Sequence, residues 1–503
     1  MTLTNLVTQY LKQNGPSLSS EVSEHLVEKN RLTPAAARQR VSRGGKDILR
    51  LELNFPRRAK FLFLKEQAGT GLYWGRLEKA LLVSNSAYGY AIMALHEREG
   101  IMPKHHFEIA CGSPVRQKKH LSASLVLQRL VDTNLIKEIY VEGVGQCIYL
   151  GLFANQLESI IPAMKARIFA EELVLRGLKS WMRKLGFVSY NQVNSRSSDE
   201  NPKVSTTAWD LAGPSYLSPL VSFSKNESKP NPGFIVCDIL LNAEVSERAI
   251  QPYLQKLNAL RNLPKVGSQL CFFVANSFHE NAFNTLKSLG ISPATTSTIF
   301  DNDIGKGLAE LINLLSHAAV QAIEPEKLDT LFNSLGKIEG AANRLRGAFF
   351  EFVIAEAMRG DFGFNIQMNR LCQTQGSSKE ADVICVSNTE VFFIEGKGYS
   401  LSNRVTLDAV EYWLTQQVPV FRKFALSHPD WRDKSLRFEF WTTGYFDDDA
   451  LARLEKAKQN TTKYCINYKD LTSVSQTIKN TGNKALIKTF SDHFASHPLN
   501  YLK

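Results

Sequence analysis

Apolar positions change their period several times along this chain, and each change marks an element. Residues 3 to 13 and 19 to 29 carry helical spacing, separated by the break Asn14-Gly15-Pro16. A third helix is predicted from Thr33-Pro34, a capping residue with proline at the first helical position, to Gly44-Gly45. On it Ala37 and Val41 share one face, which leaves Arg38, Gln39 and Ser42 outward with Arg40 and Arg43 at the flanks. Leu49, Leu51 and Leu53 then alternate with polar residues, Pro56-Arg57-Arg58 turns the chain, and Lys60-Phe-Leu-Phe-Leu64 returns. The same order repeats with helices near 84 to 98, 103 to 110 and 121 to 133, followed by strands around Gly143 and Gly145. Its turn tip has no Lys or Arg, so a packing or orienting role is expected for this second unit.

Towards the carboxyl terminus the period drops to that of strands buried on both faces. Val383-Ile-Cys-Val386 and Val391-Phe-Phe-Ile394 flank Asn388-Thr389, a two-residue hairpin turn. In that register Ser387 pairs with Glu390, Asp382 stands opposite Glu395, and Lys397 faces Glu380. Upstream, a helix over Leu345 to Met358 turns Phe349, Phe352, Val353 and Ala357 to a core and carries Glu351. Like charges opposed in a strand pair destabilise it unless something neutralises them, and a divalent cation beside an ammonium would. Two carboxylates and a lysine therefore converge for a reason.

Composition is that of an ordinary globular chain: 503 residues, 44% hydrophobic and 22% charged. No run of eighteen apolar residues and no signal peptide are seen, Met1 to Lys12 reading as an amphipathic helix start, so a cytoplasmic protein without a membrane partner is expected. Seven scattered cysteines without a Cys-x-x-Cys pair argue against a disulfide framework and a structural zinc site, and His105-His106 read as ordinary helix residues. The net charge is +11, and residues 1 to 76 hold 13 Lys or Arg against 6 Asp or Glu. Residues 77 to 152 are nearly balanced, 8 against 7. Such concentration favours a nucleic-acid partner for the first module.

Asp382, then Glu395-x-Lys397, behind a helix bearing Glu351, resembles the PD-(D/E)XK nuclease superfamily, with Ala381 where its motif has proline. The resemblance spans residues 340 to 475. It implies a restriction-endonuclease-like fold and Mg²⁺-dependent hydrolysis of phosphodiester bonds, with Mn²⁺ as a substitute metal. It also implies Asp382, Glu395 and the Gly396 carbonyl as a partial metal shell, Lys397 orienting or deprotonating the attacking water, and Glu351 reaching the metal through water. The first module resembles a winged helix-turn-helix. In such a module Arg38, Gln39, Arg40, Ser42 and Arg43 would address the groove of double-stranded DNA, and Arg57 and Arg58 would meet phosphate.

The middle region repeats the parts of the carboxyl-terminal one. Ala249-Ile-x-x-Tyr-Leu254 parallels Ala409-Val-x-x-Trp-Leu414, and Phe278, Ala282 and Leu286 parallel Phe446, Ala450 and Leu454. Glu171 and Glu172, Asp210, and Asp238-x-Leu240 stand where the other copy has Glu351, Asp382 and Glu395-x-Lys397. Leucine can neither activate water nor balance charge, so this copy reads as degenerate. Residues 222 to 232 read as a surface insertion.

The expected architecture is multidomain: winged-helix (α+β) modules over 1–76 and 77–155, then two α/β restriction-endonuclease-like domains, the first degenerate. The degenerate copy spans 160–305, a helical linker 306–340, and the nuclease 341–503. The expected activity is a DNA endonuclease of the kind common in host defence and restriction. The alternatives are a DNA-binding regulator with inert nuclease folds and an RNA-cleaving enzyme. One site per chain implies that a double-strand break takes a homodimer, sequential nicks or a partner subunit.

Overall fold

Gly15 ends the first helix where the break was expected, at φ 81, with its N–H closing on the Leu11 carbonyl at 3.0 Å. The structure is a computed structural model that describes residues 6–45, 47–53, 55–197, 200–223, 230–263, 266–318, 324–338, 340–362, 365–399 and 403–495. The first module is built from α1 (Leu6–Asn14), α2 (Ser19–Asn30) and α3 (Pro34–Arg43) with strands β1 (Ser17–Leu18), β2 (Ile48–Arg50) and β3 (Phe61–Leu64), β3 being central. Thr33 caps α3 by accepting from the Ala36 N–H at 3.3 Å, and Gly44 closes its far end at φ 44. Ala37 and Val41 are buried with Val7, Leu11, Val22 and Leu26, so the core face of α3 is the expected one. β2 stops at Arg50, and Leu49 is exposed while Leu51 and Leu53 are buried beyond the strand, so those three leucines do not share a face.

The second module follows with α4 (Gly71–Val83), α5 (Ala87–His96), β4 (Ile101–Pro103), α6 (Phe107–Ala110), α7 (Ala123–Asp132), β5 (Ile136–Val141) and β6 (Gly145–Leu150). Its sheet has the order β4-β6-β5, all antiparallel. The helix expected over 103 to 110 is a 3-10 turn, Lys104–His106, leading into the single turn of α6. His105 and His106 lie on that turn, not on an α-helix. Phe61 and Phe63 of the first module pack in one core with Tyr73, Trp74, Leu77 and Ile92, so the two modules share a hydrophobic centre.

Helix α8 (Leu157–Lys184) leads into β7 (Asn194–Ser195), β8 (Leu211–Ser215), β9 (Gly233–Leu240), α9 (Glu247–Arg261), β10 (Gln269–Ala275), α10 (Glu280–Ser288) and β11 (Ser292–Thr295). After α11 (Asn302–Ser316) and α12 (Pro325–Leu335), α13 (Ala341–Phe362) leads into β12 (Ile366–Thr374), β13 (Ser377–Val386) and β14 (Glu390–Lys397). There follow α14 (Leu407–Tyr412), a π-helical turn (Trp413–Gln417), α15 (Val418–Ser427), β15 (Ser435–Thr442), α16 (Asp448–Asn460) and β16 (Cys465–Lys469).

The two five-stranded sheets have one topology. In sequence order of their strands, β7-β8-β9-β10-β11 and β12-β13-β14-β15-β16 are each neighbours in space, the first two pairings antiparallel and the last two parallel. The parallel steps require crossover helices, α9 and α10 in one sheet, α14–α15 and α16 in the other. Val391, Phe393, Phe438 and Phe440 are buried under Trp413 and Phe421 in the second core, each full Phe burial contributing about 2–3 kcal/mol. By compactness the chain forms two units, residues 1–171 with 178–299, and 172–177 with 300–503. Of the insertion at 222 to 232, residues 224–229 lie outside the described residues, and Ser222 and Asn231 at its ends exchange backbone hydrogen bonds. All seven cysteines are free thiols, and no described helix is long and apolar enough to cross a membrane.

Candidate active site and nucleic-acid interface

The β13–β14 hairpin has the expected turn and register: Ser387 N–H bonds the Glu390 carbonyl at 2.9 Å, and pairs run from Val386 with Val391 to Val383 with Ile394. There the ladder ends, while β13 runs on against β12 as far as Ser377 with Thr374. The strands thus part where Asp382 would face Glu395, and the Asp382 carboxylate takes the Gly396 N–H at 2.8 Å. Lys397 pairs with Glu395 at 2.6 Å, two residues back on its own strand, where the extended register alone set it facing Glu380. The Lys397 carbonyl accepts from the Thr442 hydroxyl at 3.0 Å and the Thr443 N–H at 3.2 Å, which fixes the backbone under the ammonium.

Glycine brings the acidic helix in. A Cβ on Gly396 would lie 2.8 Å from Ile354 Cδ1 and 3.7 Å from Glu351 Cγ, and one on Gly398 would lie 2.3 Å from the Arg346 carbonyl oxygen. Only a strand end without side chains lets α13 approach this closely. Phe349, Phe352, Val353 and Ala357 anchor the helix to its core, as expected, and Glu351 is left half-buried against the strand end.

The electrostatics are unbalanced towards negative charge. Burial and the nearby Asp382 push the Glu395 carboxyl up to about 7, against the pull of Lys397. Burial, Asp382 and Glu380 push Glu351 well above the carboxylate range. Burial works against the Lys397 ammonium, but Glu395 and Asp382 hold its pKa above the ordinary lysine value, so it stays protonated. Hard oxygen donors in excess of one ammonium suit a divalent cation in charge and chemistry. Among the described residues no three His, Cys, Asp or Glu side chains stand grouped as a metal cage, and both Glu395 oxygens are engaged, by Lys397 and by Gln417 Nε2 at 3.0 Å.

At the matching place in the middle sheet, Asp210 takes the Ile239 N–H at 2.8 Å, the counterpart of the Asp382 bond to Gly396. There the charges are closed internally. Arg196 bridges Asp210 and Glu171 at 2.6 Å each, and Lys256 meets Asp238 at 2.5 Å while also donating to the Ala208 and Ile109 carbonyls. All of these side chains are at most 5% exposed. Burial raises Asp238 to about 6 against the pull of Lys256. Burial alone would lower Arg196, but Asp210 and Glu171 hold its pKa above the usual value. The second module covers the spot: Ile101, His105 and Ile109 offer carbonyls to Arg167, Asn201 and Lys256. His106, buried there near Arg196, is pushed well below the usual imidazole range, chiefly by burial.

On α3, Arg38, Gln39, Arg40, Ser42 and Arg43 are all exposed. Arg50 donates to the Ser42 carbonyl at 2.7 Å and the Val41 carbonyl at 3.3 Å, capping the helix end. Arg57 and Arg58 are exposed at the turn tip, both with left-handed backbone at φ 55 and 59. Arg196, Lys256 and Gln417 escaped sequence reading. Lys256 lay just past a matched helix pattern, Arg196 sits in a polar loop with no periodicity, and Gln417 depends on a π turn that no spacing announces.

No family model matches the chain, and no curated protein does. Among solved structures, one of a protein of unknown function overlaps 27% of this chain at 15% identity with a TM-score of 0.22; the chain spans 66% of that protein, just under two thirds. Two structures of the restriction endonuclease FokI, one bound to DNA, overlap 89% and 98% of this chain and 80% and 91% of their own. Their identity is 11% in both cases, with TM-scores of 0.20 and 0.19. Overlaps this slight carry no argument about fold or function, and the site rests on this chain's own residues.

Proposed function

We propose that the chain is a divalent-metal-dependent deoxyribonuclease of PD-(D/E)XK type, with its one hydrolytic centre at Glu351, Asp382, Glu395 and Lys397. The single observation that carries this reading is the end of the β13–β14 ladder, beyond which Asp382 takes the Gly396 N–H, Glu395 pairs with Lys397, and Glu351 lies against the same glycine. Asp382, Glu395 and the Gly396 carbonyl would hold Mg²⁺, with Glu351 beside them. Such a cation polarises phosphate oxygens and acidifies a bound water. Lys397, held protonated by Glu395, orients the attacking water and balances charge on the pentavalent transition state; its raised pKa favours this role over that of general base.

Binding belongs, on this reading, to the first module as a winged helix-turn-helix. α3 would present Arg38, Gln39, Arg40, Ser42 and Arg43 to a major groove, and Arg57 and Arg58 would engage phosphate from the turn tip. The second module, with Ile101, His105 and Ile109 committed to the middle domain, orients rather than reads. The middle domain is a degenerate copy of the nuclease, and the common strand order supports a duplication.

Purified chain and Lys397→Ala are incubated with plasmid, linear duplex, single-stranded DNA and RNA, in Mg²⁺ and in EDTA. The expected result is Mg²⁺-dependent cleavage of DNA by the unaltered chain only. Identical behaviour of the two proteins on every substrate would end the enzyme reading, and cleavage confined to RNA would redirect it.

A further inference from the structure

The crossover helix after the third strand faces that strand's carboxylate in both five-stranded domains, and the residue it offers differs. In the middle domain Lys256 of α9 meets Asp238, and in the carboxyl-terminal domain Gln417 meets Glu395. The sequence match Ala249-Ile250-Tyr253 with Ala409-Val410-Trp413 sets Lys256 beside Gln416, one residue short. The π turn Trp413–Gln417 supplies the missing residue, since such a turn inserts one extra position into a helix. Beyond it Leu257 and Leu260, buried in one core, correspond to Val418 and Phe421, buried in the other. Lys256 and Gln417 therefore occupy one structural position, and both are buried.

We propose that Gln417 is a positioning residue that aligns Glu395 without discharging it, and that the Lys-for-Gln difference at this position helps to separate a self-neutralised site from one that accepts a cation. This rests on the nuclease reading. A lysine here is a built-in monovalent counter-ion, and beside Glu395 it would be a second ammonium after Lys397, opposing the entry of a divalent cation. A glutamine amide donates one hydrogen bond, fixes the carboxylate plane, and adds no cation to the Lys397 ammonium already paired with Glu395. The π turn swings this amide, in place of its neighbour Gln416, onto Glu395.

The test is Mn²⁺ binding by isothermal titration calorimetry on the full chain, with urea unfolding in EDTA as a measure of the fold. Gln417→Lys is expected to weaken Mn²⁺ binding roughly 10- to 100-fold while its urea midpoint does not fall. Gln417→Met, neutral and similar in length, removes only the donor and is expected to weaken binding several-fold; it serves also if the lysine variant does not fold. Either variant binding Mn²⁺ within twofold of the unaltered chain overturns the positioning role and leaves the nuclease reading standing. An unaltered chain that neither binds Mn²⁺ nor cleaves DNA overturns both.

Discussion

The two five-stranded domains differ less in architecture than in where their charge is balanced. Both have an aspartate, Asp210 just before the second strand and Asp382 within it, that takes a backbone N–H from the third strand, and both set another acid on the third strand. In the middle domain three basic side chains of the protein itself, Arg167, Arg196 and Lys256, face Glu171, Asp210 and Asp238 in a buried and covered place. In the carboxyl-terminal domain Lys397 stands against Glu351, Asp382 and Glu395, where burial first and the neighbouring carboxylates second raise the Glu351 and Glu395 carboxyls. The comparison teaches that Leu240 in place of a lysine is half the difference. The middle domain also carries internal cations where the other, among the described residues, has none at the matching places.

The largest effect is expected from Arg196→Ala. Two buried carboxylates would lose a shared guanidinium, which costs about 3–5 kcal/mol and would appear as a large drop in the urea midpoint. Unchanged stability would mean that Arg196 does not close the site.

Next in size is a pH effect on the open site. Glu395 rises from 4.5 to about 7, so the folded chain holds this proton more readily than the unfolded one. Its contribution to stability is then full below about pH 4.5 and lost as pH climbs through 7, worth about 3 kcal/mol at most. His106, depressed by burial, contributes the opposite slope in both proteins, so the urea midpoint in EDTA should fall between pH 5 and 8 in the unaltered chain relative to Glu395→Gln. Asp238, raised to about 6, adds a smaller slope of the same sign as Glu395 that the variant leaves in place. An equal slope in both proteins would remove the charge excess from the account.

The smallest effect concerns the first module. Arg57→Ala or Arg58→Ala should each weaken duplex binding by about 1 kcal/mol and reduce the salt slope by about one, whatever the sequence of the duplex. Fluorescence anisotropy across a salt series checks this, and an unchanged slope would take the turn tip off the DNA.

Much of the fold was legible because its signals are local. The Thr33-Pro34 start and Gly44 end of α3, the Asn388-Thr389 turn and the register from Val386 to Val383 all follow from residues close in sequence. The shared sheet order was legible only as a rhythm of matched apolar positions. What stayed hidden depends on contacts across distance. Lys397 finds Glu395 along its own strand beyond the end of the ladder, and Arg196 reaches Glu171 from 25 residues away out of a loop without period. The covering of the middle site by residues 101 to 110 rests on backbone carbonyls, which no side-chain pattern encodes.

The central claim is that hydrolysis belongs to the carboxyl-terminal site alone, and Asp382→Asn tests it most directly. The asparagine carbonyl oxygen can still accept from the Gly396 N–H, so the fold should hold within about 1 kcal/mol while a charged cation ligand is lost. The account predicts that Mg²⁺-dependent cleavage of supercoiled plasmid falls roughly 100-fold or more in a protein with an unchanged urea midpoint. Cleavage at the unaltered rate by a well-folded Asp382→Asn chain would contradict it.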